Sequence, residues 1–172
     1  MEPVKWTERI WKFGYTPMYV PILIERLQCT APRIEELIKN KSEEELSKRI
    51  GEKWSVKEHI GHLTDIEVLH SGRIDDFKNG LAMLRAADMS NKKTYEANHN
   101  RHLSQLLLSK FKKSRKDLIE KIKKTAPTYF ENKAVHPRLK QEVTLPDILF
   151  FIAEHDIQHL VRMSENLDDR LP

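Results

Sequence analysis

Four long stretches of the chain repeat apolar residues at the spacing of an amphipathic α-helix, with an apolar side chain on one face every three or four residues. They cover roughly residues 16–40, 55–80, 99–125 and 144–166. Only 5 of the 172 residues are glycine, which argues against a loop-rich β protein. No stretch repeats another. The chain is therefore predicted to be all-α, and a four-helix bundle is the simplest way to bury four apolar faces.

Local signals mark where these helices begin and bend. The pair Thr16–Pro17 favours the start of the first helix, since proline suits a first helical turn. We expect this helix to kink or restart at Pro32, which cannot donate a backbone hydrogen bond. Ser55 and Glu58 have the spacing of a capping box, in which each side chain bonds the backbone N–H of the other residue. This box predicts the start of the second long helix.

A length of 172 residues suits one domain, which we expect to span residues 1–172. Residues 1–15 carry several aromatic side chains without helical periodicity, and we predict that they form an arm packed on the bundle. Residues 81–98 form a long connection between the second and third helices. A connection of this length is uncommon unless it has a role, such as crossing the bundle or lining a site. Crossing the bundle would leave those two helices parallel.

The composition of the chain limits where the protein is expected to be located and what it is expected to bind. Cys29 is the only cysteine, so no internal disulfide points to an oxidising compartment. The first residues lack the apolar core of a signal peptide, and no charge-free run approaches the ~18 residues of a membrane span. A cytoplasmic location without membrane contact is expected. The net charge of +4 comes from lysines opposite the apolar side of the third helix. No aromatic rings interleave with them for base stacking, so nucleic-acid binding is not expected.

The fourth helix carries two histidines on one face. His155 and His159 are four residues apart and in phase with Ile152 and Met163, so both rings should reach one point beside the core. Imidazole is the commonest metal ligand in proteins. From spacing alone two interpretations stay open. The pair binds a metal, or it is buried and hydrogen-bonded, because an unsatisfied buried ring costs about 1–3 kcal/mol.

His62 is the best candidate for a third ligand. It lies on the second helix, and apolar residues follow it on the same face at i+4 and i+7. His59 is expected to turn toward solvent, and His99 and His102 are expected at the surface within a polar run. The capping box accounts for Glu58, which leaves little reason to count it as a site residue.

The third helix has one charged residue in phase with its apolar stripe. Arg115 falls among the residues predicted to face inward, which are Leu103, Leu106, Leu107, Phe111, Leu118 and Ile122. A buried guanidinium needs a carboxylate partner. Arg115 is therefore predicted to pair with an acid on another helix or in the N-terminal arm.

Two motifs resemble those of the DinB/YfiT-like superfamily. The stretch Trp54-Ser-Val-Lys-Glu-His-Ile-Gly-His62-Leu-Thr-Asp65 resembles its W-S-x-x-E-x-x-x-H-L-x-D helix. His136-Pro137 and the stretch from Thr144 to Leu160 are similar to its C-terminal signature. The chain departs from the family at Arg162, where glutamine is common, and lacks the glycine that often follows the His-Pro turn. Neither departure removes a histidine.

The resemblance implies a four-helix bundle with a divalent metal on three histidines, which match His62, His155 and His159. Many family members are described as metal-dependent hydrolases on the basis of their fold and site, and some resemble S-transferases that use a low-molecular-weight thiol. The implied function is therefore an enzyme that activates water or a thiol against a small electrophilic substrate, as a homodimer. Arg162 is a candidate substrate contact, and Arg73 a candidate contact for a thiol. The alternative is a non-enzymatic damage- or stress-response bundle with a structural metal or a protein-interaction role.

Overall fold

The computed structural model describes residues 4–167, and residues 1–3 of the predicted arm and 168–172 lie outside that range. Six α-helices occur in the described part, and four of them are long. They are α1 Val20–Ile38, α2 Glu43–Ser47, α3 Val56–Lys78, α4 Lys92–Glu96, α5 Ser104–Lys124 and α6 Leu145–Leu167. Two short antiparallel strands, β1 Ala134–Val135 and β2 Glu142–Val143, lie between α5 and α6. The all-α four-helix bundle is confirmed.

Helices α3 and α5 run parallel. Arg115 on α5 bonds Glu67 on α3, and Lys121 bonds Asp75, so the partners advance in the same direction along both helices. The connection from residue 79 to residue 103 returns the chain to the end where α3 began. By the same criterion α1 and α6 are parallel, since Arg26 and Thr30 bond Glu154 and Asp156 in that order.

The connection between α3 and α5 is longer than the sequence indicated, and the predicted start of the third helix at residue 99 is wrong. Residues 99–101 form a separate 3-10 turn, and α5 begins at Ser104. Leu103 is extended and 65% exposed, and Leu106 is 45% exposed, so neither faces the core as predicted. Leu108 takes an inward position instead. Leu103 leaves the inward face because it precedes the helix, whereas Leu106 lies within the helix but is rotated about 100° from the inward Leu107.

Arg115 is buried between the two apolar clusters of the bundle, where it is only 3% exposed. Its guanidinium donates to the carboxylates of Glu67 on α3 and Asp156 on α6. The predicted pairing with acids on other helices is confirmed. Arg115 on α5 thus joins α3 and α6. One of its partners, Asp156, directly follows His155 in the chain.

The Ser55–Glu58 capping box formed as predicted, whereas Pro32 did not interrupt its helix. Ser55 and Glu58 make both bonds of the capping box, at 3.2 and 2.9 Å. α1 continues through Pro32, losing only the bond that this residue would donate to the preceding turn. Within residues 4–167, no helix is both long enough and apolar enough to cross a membrane.

The described part of the N-terminal arm, residues 4–15, is fastened along α6. The backbone N–H groups of Gly14 and Tyr15 both donate to Asp147 Oδ1 at 2.8 Å. Trp11 is 6% exposed, and Trp6 packs edge-on against the ring of His155 with centroids 5.2 Å apart. The arm therefore reaches the histidines of α6.

Candidate metal centre

The structure brings together the three histidines that the sequence singled out. His62 on α3 and His155 and His159 on α6 each offer one ring nitrogen, and these nitrogens lie within 4.8 Å of one another. Helices α3 and α6 are antiparallel neighbours, since His59 contacts His159 whereas His70, further along α3, lies beside His155. The second turn of α3 therefore faces the middle of α6. His62 and His155 are 6% and 7% exposed, and His159 is partly buried.

The distances between the rings suit a shared cation. His155 Nε2 and His159 Nε2 are 3.1 Å apart. Two nitrogens bound to one tetrahedral ion at about 2.0–2.1 Å would be about 3.3 Å apart. His62 directs Nδ1 to Thr94, which leaves its Nε2 for an ion. The donor set is borderline-soft nitrogen, which suits zinc, nickel, copper or iron.

Burial keeps these rings uncharged, as metal ligands must be. It lowers the pKa of His62 from 6.5 to about 4. Burial, followed by the neighbouring histidines, also lowers the pKa values of His155 and His159 well below 6.5. At neutral pH the three imidazoles are therefore free to donate lone pairs.

A chain of hydrogen bonds supports His62 from the connection between α3 and α5. His62 Nδ1 lies 3.1 Å from Thr94 Oγ1, and the Thr94 hydroxyl donates to Asp65 Oδ2 at 3.1 Å. The same carboxylate oxygen lies 2.8 Å from His99 Nε2. If His62 Nδ1–H donates to Thr94, the chain fixes the tautomer that presents Nε2 to a metal. Asp65 is the last residue of the family-like motif, yet sequence analysis gave it no role.

The predicted surface position of His99 is wrong, because its ring packs against α3. His99 is 7% exposed, and a Cβ added to Gly61 would lie 2.2 Å from its ring. Gly61 thus provides the space that lets the connection approach the helix. His102, the other histidine expected at the surface, is partly buried.

The expected orientation of His59 toward solvent is also wrong. His59 is 7% exposed, and its Nδ1 lies 2.8 Å from Nδ1 of His159. Burial, then the nearby His62, lowers its pKa to about 3, so it is neutral. It can accept the Nδ1–H of His159 and leave that ring's Nε2 for a metal. One sequence signal could have placed His59 near the site: it lies three residues before His62, and residues three apart are neighbours on a helix surface.

His155 differs from the other two rings in its surroundings. Its Nδ1 is buried and has no hydrogen-bond partner within residues 4–167. Trp6 from the arm packs on one side, and His70 lies 6.2 Å away between ring centroids. The orientation of this ring therefore depends on packing.

The three histidines line a cavity of about 640 Å³. Its walls come from α3, α6, the arm, the connection and the turn after β1. Arg162, the predicted substrate contact, lines it while pairing with Glu165 at 2.8 Å. Arg73, the predicted thiol contact, lines it as well. Glu58 is bonded to Arg49 and the helix cap instead, in agreement with its structural interpretation.

The sequence model of the DinB superfamily matches residues 26–161. YfiT from Bacillus subtilis, described as a probable metal-dependent hydrolase with an unusual four-helix bundle topology, has a similar structure. The TM-score is 0.77 at 15% identity, over 92% of this chain and 91% of that one.

A mycothiol-dependent maleylpyruvate isomerase also resembles the chain, with a TM-score of 0.67 at 10% identity. The match covers 87% of this chain and 63% of the isomerase. At these identities the likeness shows the fold alone. The comparison with curated proteins gave no match.

Proposed function

The chain belongs to the DinB superfamily, and we propose that it is a metal-dependent enzyme whose divalent ion is bound by His62, His155 and His159. The observation that carries this proposal is the convergence of three neutral imidazoles in the wall of a cavity. A site with three protein ligands and access to a cavity keeps a position for a reactant, unlike a closed structural site. The substrate that enters this cavity would be a small molecule.

The residues around the site would orient the ligands and exclude water. When bound, the ion supplies a Lewis acid that lowers the pKa of a water molecule or a thiol. His59 and Thr94 would each fix one imidazole through its Nδ1 proton. Trp6 and Trp54 cover the rings from two sides, at 5.2 Å from His155 and 4.8 Å from His62 between centroids. This cover lowers the local dielectric constant and strengthens polar interactions inside.

Two reaction classes follow, hydrolysis by water and transfer to a low-molecular-weight thiol. YfiT supports the first through its description as a probable metal-dependent hydrolase. The cationic lining of the cavity supports the second, since Lys5 and Arg162 could bind acidic groups of a thiol. The non-enzymatic bundle with a structural metal is the remaining alternative, and the homodimer stays a prediction.

Metal analysis of the purified protein tests the ligand set. The wild type is expected to contain one divalent ion per chain, and His62→Ala, His155→Ala and His159→Ala are expected to lose it. His102→Ala is the control, since this residue is outside the cavity lining. Full metal content in His155→Ala, or a wild type that binds no metal, would contradict the proposal.

A turnover assay separates the reaction classes. Electrophilic esters, amides and epoxides are offered to the metal-loaded protein with and without an added thiol. Consumption without thiol identifies a hydrolase, and consumption only with thiol identifies a transferase. Stoichiometric metal without turnover of any substrate would favour the structural role.

A further inference from the structure

One part of the cavity presents hydrogen-bond donors that have too few acceptors. Four side chains from α3 and the turn after β1 line it: His70, Arg73, His136 and Arg138. Three of them are almost fully buried, with exposed fractions of 1% for His70 and 2% for Arg73 and His136. We call these four residues the basic end of the cavity.

Arg73 is a buried cation that has no carboxylate partner among the described residues. Its Nε and Nη2 both donate to the backbone oxygen of Arg85 at 3.2 Å. The nearby carboxylate of Asp76 is taken by Arg85, which binds it through both side-chain and backbone groups. Within residues 4–167, Arg73 forms no ion pair. Among these residues, the positive charge of Arg73 is therefore compensated only by the dipole of the Arg85 carbonyl and by the carboxylate of Asp76, which already binds Arg85.

Arg115 shows how the same chain treats a buried guanidinium that has only a structural role. It is 3% exposed, close to the 2% of Arg73, but binds two carboxylates, Glu67 and Asp156. Burying a charge without a partner is costly. The contrast indicates that Arg73 is held ready for an anion that comes from outside the chain.

Arg138 adds a second cation beside the aromatic wall. Its Nη2 is buried without a hydrogen-bond partner in the described residues. The guanidinium carbon lies 5.9 Å from the ring centre of Trp6 and 5.8 Å from that of Phe151. A free N–H in such apolar surroundings favours an anionic acceptor.

His136 supplies a neutral donor. Its Nδ1 accepts the backbone N–H of Leu139 at 3.2 Å, so the ring proton is on Nε2. That Nε2 is buried without a partner in the described part of the chain. Burial, with the positive charges of Arg73 and Arg138, lowers the pKa of His136 to about 4, so the ring stays neutral.

His70 completes the basic end. Both of its ring nitrogens are buried and without partners among residues 4–167, and its ring lies beside His155. One nitrogen carries a proton in the neutral ring, so His70 adds one more donor and only one acceptor. Among residues 4–167, Asp88 is the single acidic residue in the cavity lining, and its carboxylate already accepts from Ser90 and Lys92.

We propose that the basic end binds a carboxylate group of the substrate, and that the substrate is an organic acid with an apolar body. The apolar body would lie against Trp6, Ile66, Leu69 and Phe151, which line the same cavity. A planar carboxylate fits the fork of a guanidinium and accepts from several donors at once. The substrate assignment rests on the proposed enzymatic function, whereas the anion site itself does not.

Calorimetric titration with 3-phenylpropionate, and with its uncharged amide as the matched probe, tests the site. Both probes are titrated into metal-loaded protein and into chelator-treated protein. The carboxylate is expected to bind at least ~10-fold more tightly than the amide in both forms, because its partners are not the metal ligands. Equal affinities, or a carboxylate preference that vanishes without metal, would overturn the proposal.

Variants locate the probe. Arg138→Gln and His136→Asn are expected to weaken carboxylate binding about 10-fold without affecting the amide. The Asn side chain can keep the bond to Leu139 while removing the Nε2 donor. Arg138→Lys should restore part of the affinity, and Lys116→Gln, on the exposed side of α5, should change nothing. Unchanged carboxylate affinity in both Arg138→Gln and His136→Asn would overturn the proposal.

A competition arm separates a substrate carboxylate from that of a thiol. Titration of 3-phenylpropionate into metal-loaded protein is repeated with saturating 3-mercaptopropionate. The same titration is repeated with an equal concentration of butyrate, a carboxylate of the same length that lacks the thiol. Equal losses of affinity with the two competitors support the substrate assignment, because both then act only as carboxylates, and a larger loss with the thiol overturns it. If the protein fails the metal tests but still prefers the carboxylate probe to the amide, only the enzyme proposal is refuted. If the protein binds metal and turns over a substrate but does not prefer the carboxylate probe, only the anion site is refuted.

Discussion

Nδ1 of His59 lies 2.8 Å from Nδ1 of His159, although the two residues are 100 positions apart in the chain. Both rings are neutral at pH 7, because burial lowers their pKa values. One nitrogen must therefore donate and the other accept. If His159 donates, its Nε2 faces His155 with a free lone pair. A residue outside the three-histidine set thus determines how one of them can bind a metal.

His59→Leu is expected to lower metal affinity by about 10–100-fold, the usual effect of losing an outer hydrogen-bond partner. His59→Asn can retain an acceptor close to the position of Nδ1 and should lose less. Competition with a colorimetric chelator measures both variants. Equal affinity of His59→Leu and wild type would show that packing alone orients His159.

Thr94→Val is expected to weaken metal binding by about 10-fold or more, since it removes the hydroxyl between His62 and Asp65 while keeping the shape of the side chain. Thr64→Val is the matched control, because the Thr64 hydroxyl bonds only the backbone of its own helix. The same chelator competition applies. Similar losses in the two variants would rule out a specific role for Thr94.

Gly61→Ala should destabilise the fold by about 1–3 kcal/mol through overpacking, although alanine is the better helix former. The added Cβ would lie 2.2 Å from the ring of His99. Urea unfolding measures the cost in wild type and in a His99→Ala background, where the clash is absent. The two costs should differ, since the residues are in contact. Identical costs would place the strain elsewhere.

Arg115→Met is expected to destabilise the protein by about 3–5 kcal/mol, because Glu67 and Asp156 would keep buried carboxylates without their cation. Lys116→Met changes the neighbouring residue, whose side chain is 75% exposed, and should stay within about 0.5 kcal/mol of wild type. Urea unfolding compares the two. A loss below 1 kcal/mol in Arg115→Met would show that the cluster relaxes.

Acidification should destabilise the fold between pH 6.5 and about 4, and His136 contributes to that loss. Its pKa is lowered to about 4 in the folded protein, so in this range the unfolded chain binds a proton that the folded one does not. The free energy of unfolding therefore falls as pH falls, by up to ~1.4 kcal/mol per pH unit for one such group. His136→Asn should lower the slope of the unfolding free energy against pH by the contribution of one proton, up to ~1.4 kcal/mol per pH unit. An unchanged slope would mean that His136 protonates normally when folded.

The helices could be predicted from the sequence because their signals are local. Capping boxes, prolines and apolar spacing act within one or two turns, and the Ser55–Glu58 box formed as expected. The predictions failed where burial depends on a remote segment. His59 and His99 look solvent-exposed by their neighbours in sequence, but α6 and α3 cover them. The inward position predicted for Leu103 failed because the helix begins only after it, at Ser104. Leu106 is helical but lies about 100° from the inward Leu107, so its assignment to the apolar stripe was wrong.

The sequence by itself determined the four amphipathic helices and the pairing of His155 with His159 on one face, because the helical repeat fixes both. Its family-like motif singled out His62 as their partner. Only the tertiary structure decided what surrounds them. The parallel course of α3 and α5 forces a long connection that delivers Thr94 to His62. The turn after β1 brings Arg138 and His136 to the cavity that Arg73 lines from α3. Contacts between residues so distant in the chain follow from packing, which no local pattern encodes.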